Sequence, residues 1–171
     1  MVIKEETVSR QNKRRNKTYR PRDPGCVKLK TLPWVIDSVF SPLYSIIDQL
    51  EEDGTIYVAN DDVPLFLNRK DGRFYETVSA VTGFIEGYEI HERRTGRNLH
   101  MDPLRHLVAL IKNGEMITPS DTRHAREALD RIRTETMGMT WNYADEMLRD
   151  FRIKEELSGI HRYVTAEGEI Q

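Results

Sequence analysis

From residue 102 onward the chain repeats one pattern of start, apolar stripe and stop three times, and that pattern leaves little choice of local structure. Asp102-Pro103 places an acid where a helix is capped and a proline at the first helical position, where a missing amide proton costs nothing. Leu104, Leu107, Val108 and Ile111 then recur at three- and four-residue steps, and Asn113-Gly114 ends the run. Thr118-Pro119-Ser120-Asp121 gives the second start, with Asp121 at the acid position of a capping box. Ala125, Leu129 and Ile132 form its inward stripe and Gly138 closes it. Thr140 caps a third helix with Trp141, Ala144, Leu148 and Phe151 facing inward, ending at Ser158-Gly159.

Upstream, two more apolar stripes carry the helical period. Pro33 opens the first, with Val35, Ile36, Val39 and Phe40 followed by Leu43, Ile46, Ile47 and Leu50. Pro42 lies inside it, so a kink or two short helices are expected. The second runs through Val78, Val81, Ile85 and Tyr88 and stops at Gly96. Gly83 and Gly87 lie within it, and each costs about 1 kcal/mol against alanine in a helix. Close approach of another backbone is the expected compensation. Between the two stripes, residues 55–59, 64–67 and 73–75 are β-branched, apolar or aromatic, and residues 68–72 form a polar turn with the hairpin signal Asp71-Gly72. The predicted fold class is therefore α+β and mostly helical, with a short antiparallel hairpin region in the middle and a helical C-terminal half.

The front of the chain cannot join that core. Residues 10–22 hold seven basic side chains, no acid and one aromatic, and prolines at 21 and 24 with Gly25 break any regular element. Residues 1–30 carry ten Lys/Arg against three Asp/Glu, a net of +7. The remaining residues hold 16 bases and 25 acids, a net of −9, so an overall charge of −2 conceals a basic arm on an acidic body. The expected organisation is a disordered basic arm over 1–25, one globular domain over 26–159 and a loosely attached tail over 160–171.

Segregated charge of this kind points to a polyanionic partner, because Lys and Arg neutralise phosphates and release counterions. The binding set is Lys13, Arg14, Arg15, Lys17, Tyr19, Arg20 and Arg22, with Tyr19 able to stack on an unpaired base. Arg93, Arg94 and Arg97 form a second basic spot, which complements the helix dipole and extends the arm's footprint if the fold brings the two together. Chemistry is scarcer. The histidines at 91, 100, 106, 124 and 161 include no pair spaced for a helical metal site, although His106 and His124 approach each other, with Glu127 near, if their helices pack. Asp61, Asp62, Asp71 and Glu92 lack the carboxylate-x-lysine strand of a nuclease, and no glycine-rich phosphate loop is present. No enzyme, catalytic residue, metal or cofactor is expected. No apolar run approaches a membrane span, no signal peptide is read at the start, and the lone Cys26 suits a reducing cytoplasm.

The arm "KRRNKTYRPR" and the later "RTGRNLHMDPLRHLVALIKNGEMITPSD" resemble small proteins of unknown function encoded by phages and prophages of Gram-negative bacteria. In those, a Lys/Arg-Asn-Lys-x-Tyr-Arg-Pro arm precedes a short mixed region and a helical C-terminal half. The resemblance implies a bacterial cytoplasm and a phage setting, and nothing catalytic. Two readings are open. In one, the chain is an accessory factor that binds nucleic acid, or a nucleoprotein, through its arm, with a body able to form a homodimer. In the other, it is an anti-CRISPR-like inhibitor of a host defence complex, whose acidic body imitates nucleic acid. The cluster available for such mimicry is Glu51-Glu52-Asp53 with Asp61-Asp62.

Overall fold

Proline opens three of the five α-helices found among the described residues, and glycine in the left-handed region closes three. The computed structural model describes residues 24–58, 62–70 and 72–167, with side chains described as far as residue 155. The helices are α1 (Pro33–Asp53), α2 (Thr77–Thr95), α3 (Asp102–Asn113), α4 (Pro119–Gly138) and α5 (Trp141–Glu167). Between α1 and α2 lie three strands, β1 (Tyr57–Val58), β2 (Pro64–Asn68) and β3 (Arg73–Glu76). The protein is mostly helical α+β, with a small antiparallel sheet in its middle, as the apolar periods require.

Pro42 does not divide α1, which runs unbroken from Pro33 to Asp53, so the expectation of two short helices is not met. Proline removes the amide that would bond the carbonyl of Ser38, but Ser38 is exposed, so water reaches that oxygen. On the other side Ile36, Phe40, Leu43, Ile46, Ile47 and Leu50 are buried and hold the helix in one piece. Val39, predicted inward, is exposed.

The strands pair in the order β1-β2-β3, with Phe66 opposite Tyr75 and Leu67 opposite Phe74. Among the described residues β1 spans Tyr57–Val58 and leaves out Thr55 and Ile56, so the edge of β2 beyond Leu65 has no described strand beside it. Gln49 of α1 fills the gap: its amide donates to the Leu67 carbonyl at 2.7 Å and its oxygen accepts from the Leu67 amide at 3.2 Å. Buried Phe66 turns toward the helices, whereas Tyr57 and Phe74 meet edge to face on the outer side and stay exposed.

α4 is the keystone of the helical layer. Its Ala125, Ala128, Leu129 and Ile132 are buried among α1, α3 and the turn Leu29–Thr31. The predicted capping box at its start is present: the Thr118 hydroxyl accepts from the Asp121 amide and Asp121 accepts from the Thr118 amide. Along its flank, Arg126 bonds Asp48 and Glu51 of α1, Arg133 bonds Asp37, and Tyr44 donates to Asp130.

Three further expectations change. Asp102 is the first residue of α3 rather than its cap; Met101 holds the cap position, and Asp102 instead accepts from Arg105 at 2.9 Å. α5 runs past Ser158-Gly159 to Glu167, since one glycine inside a helix costs only about 1 kcal/mol. Its inner face is also rotated: Met147 is buried and Tyr143, Ala144 and Phe151 are half-buried, while Trp141 and Leu148 point outward. Tyr143 sets this rotation by bonding a buried histidine of α2.

Candidate functional site

The seven arm residues Lys13, Arg14, Arg15, Lys17, Tyr19, Arg20 and Arg22 lie outside the described residues. The chain is described from Pro24, and its first turn is already fixed tightly. That turn, Pro24–Cys26, packs on α5, so the folded body includes Gly25. A Cβ at Gly25 would lie 2.0 Å from the Asn142 side-chain amide, so any larger residue there requires Asn142 to turn away. Next, the Trp141 amide donates to the Val27 carbonyl and the Leu29 amide to the Met139 carbonyl, both at 2.9 Å. Lys28 forms an isolated antiparallel bridge with Thr140. The root of the arm is thus stitched to the α4–α5 junction, with Lys28 and Lys30 exposed.

That junction also walls an open cleft of about 580 Å³. Met139 and Thr140 form one side, and the end of α2 contributes His91 and Thr95 with Arg97 beyond it. The His91 side chain is only 4% exposed. Its Nδ1 lies 2.7 Å from the Tyr143 hydroxyl, with the two rings edge to face. Its Nε2 lies 3.5 Å from Glu135 Oε1 but completes no hydrogen bond. Glu135 in turn accepts from Arg97. Burial raises the Tyr143 pKa, while Arg94, whose guanidinium sits 5.6 Å from the ring centre, pulls it down. At neutral pH Tyr143 therefore remains a phenol.

The three arginines predicted as helpers divide. Arg94 is held by Asp150 at 2.6 Å and approached by Glu146 at 3.7 Å. Arg97 is bonded to Glu135 at the cleft mouth, beside the arm's root. Arg93 is exposed and makes no ion pair with a described residue. Arg93 and Arg94 also occupy the last turn of α2, where positive charge suits the helix dipole.

The other candidates find local roles. His106 Nε2 lies 3.5 Å from Asp121, whose pKa is lowered first by the Thr118 hydroxyl and then by the Thr118 amide; His106 and His124 add a smaller attraction. Glu92 accepts from the Leu99 amide at 2.6 Å and so closes the loop after α2. Asp61 and Asp71 lie outside the described residues. Among the described residues no group of three His, Cys, Asp or Glu is placed to hold a metal, and no helix is long and apolar enough to cross a membrane. Cys26 is an exposed free thiol.

Gly83 and Gly87 do not mediate a close backbone approach. A Cβ on Gly83 would touch only the Phe151 ring at 3.8 Å, and one on Gly87 would meet nothing. They open instead onto an apolar groove of about 180 Å³ between α1, α2 and α5. The His91 cluster is what sequence reasoning missed, yet a signal was present: the stripe Val81, Ile85, Tyr88 reaches His91 in one more three-residue step. Compared with known protein families, with curated proteins and with solved structures, the chain matches none.

Proposed function

We propose that this protein binds nucleic acid, free or within a nucleoprotein, through its basic arm and acts as a non-enzymatic accessory factor in a phage-infected or lysogenic bacterial cytoplasm. The observation that carries the reading is how differently the two sets of cations are distributed along the sequence relative to carboxylates. In the body Arg69, Arg94, Arg97, Arg105, Arg126, Arg133, Arg149 and Lys154 each pair with a carboxylate. The arm has seven cations and no acid of its own over residues 10–22, and Lys28 and Lys30 prolong it across the root. Seven cations with no acid among them attract a polyanion, and an acidic body disfavours its spreading elsewhere.

Titrating the affinity for mixed-sequence DNA and RNA against salt tests this. About six phosphate contacts give a slope near −5 in log K against log salt for duplex DNA. A chain lacking residues 1–23 should lose most of the affinity and most of the slope; affinity that survives the deletion removes the arm from the function.

One observation favours the inhibitor reading. Asp48, Glu51, Glu52 and Asp53 gather at the C-terminal end of α1, where the helix dipole disfavours negative charge. Arg126 and Arg69 offset part of this and leave a carboxylate-rich end facing solvent. A chain that binds no nucleic acid at low salt, but captures a basic nucleoprotein through this end, is an inhibitor rather than an accessory factor.

A further inference from the structure

We propose that the cleft beside the arm's root receives the Watson–Crick edge of one unpaired nucleobase. This rests on the nucleic-acid reading above and narrows its ligand from polyanion to single strand. A buried polar atom without a hydrogen-bond partner is rare in a folded protein and calls for a reason. His91 Nε2 is such an atom, on a side chain that lines the cleft and is 96% buried.

The neighbours decide what Nε2 offers. The Glu135 carboxylate, 3.5 Å from Nε2, favours a proton on that nitrogen, which leaves Nδ1 to accept from the Tyr143 hydroxyl. At the cleft wall an N–H donor then lies 3.5 Å behind a carboxylate acceptor. Each nucleobase carries a donor beside an acceptor on its pairing edge, and only an unpaired base has that edge free. A lone phosphate has no donor for Glu135 and would be repelled by it. Arg97, 66% exposed at the mouth and bonded to Glu135, is placed to meet the phosphate of the same nucleotide. The volume of about 580 Å³ suits a nucleotide-sized guest. Since Nε2 has no solvent contact, the partly exposed Glu135 side chain turns as the base edge enters. The arm's root is hydrogen-bonded to the wall of the same cleft, so a strand held by the arm is kept near the cleft mouth.

The test compares two single strands of equal length on the full chain at low salt, one of mixed sequence and one whose central bases are replaced by abasic sites. The phosphates are the same, so the ratio of affinities reads the bases alone. The wild type should prefer the base-bearing strand by about tenfold or more. Glu135→Ala and His91→Phe should bring the ratio near one while the salt slope persists. Glu135 is 30% exposed, so its variant carries the test if His91→Phe fails to fold. A wild-type ratio of one, or a ratio unchanged in Glu135→Ala, overturns the proposal; if Tyr19→Ala alone removes it, the bases stack on the arm and the cleft is rejected. Equal binding of both strands that vanishes on deleting residues 1–23 rejects the cleft and leaves the arm reading standing. No binding of either strand defeats both.

Discussion

α4 and α5 follow one another with only Met139 and Thr140 between them, yet different forces orient them. α4 drives Ala125, Ala128, Leu129 and Ile132 into the core at no more than 1% exposure, and its arginines lock the outer flanks to α1. α5 buries Met147, leaves Trp141 and Ile153 exposed, and sets exposed Leu148 at the rim of a groove that Gly83 and Gly87 line. Its rotation follows polar partners: Tyr143 on His91, Asp150 on Arg94 and Lys154 on Glu86. Burying apolar area settles how the first helix faces, and a few hydrogen bonds and ion pairs settle the second.

The sharpest way to break that contrast is to cut a side chain from the better-packed helix. Ile132 is fully buried, so Ile132→Ala should cost about 3–4 kcal/mol through lost transfer energy and the cavity left behind. Urea unfolding with an unchanged slope checks it. A cost below about 1 kcal/mol means that α4 is not the keystone.

The same contrast explains which elements were legible in the sequence. Helix starts at Pro33 and Pro119, stops at Gly96 and Gly114, and the hairpin that pairs Asn68 with Arg73 depend on backbone chemistry within a few residues, and they stand where predicted. The inner face of α4 was legible because apolar burial decides it. The face of α5 was not, because it depends on a histidine 52 residues away in sequence. Pro42 left two outcomes open for a related reason: whether a proline divides a helix depends on whether its orphaned carbonyl meets water, which the sequence does not record. Of the candidate site, Arg97 was found by composition, whereas its position beside the arm's root comes from backbone bonds between residues 27–29 and 139–141.

A smaller effect sharpens the α4 side. Thr118→Ala removes the hydroxyl of the capping box and should cost about 1 kcal/mol. It should also alter the response to acid. Asp121 has a folded pKa below its ordinary 3.8, so its contribution is present above that value and lost as pH falls through the lowered one. In Thr118→Ala that loss at low pH should shrink, since the hydroxyl is the largest cause of the shift. Melting temperatures between pH 2 and 6 compare the two chains, and identical acid profiles would show that the box does not hold Asp121 ionised.

On the α5 side a substitution should stabilise. Gly87 has open space where a Cβ would go, and its backbone is helical, so Gly87→Ala should gain about 0.5–1 kcal/mol. Gly83→Ala should gain less, because its Cβ comes to 3.8 Å from Phe151. A loss at either site would mean that the groove closes in solution more tightly than these contacts allow.

The smallest expected effect tests whether α5 is as loosely seated as its exposure implies. Leu148 is 51% exposed at the rim of the groove, so Leu148→Ser should change stability by less than about 0.5 kcal/mol. The measurement is a urea titration at two protein concentrations about a hundredfold apart, which removes self-association from the comparison. A midpoint that rises with concentration in the wild type and not in Leu148→Ser shows that a second chain covers this rim. A loss of about 2 kcal/mol independent of concentration shows instead that the chain's own atoms cover it. A flat response leaves α5 held by Tyr143, Asp150 and Lys154, and the difference between the two helices is then one of polar against apolar anchoring.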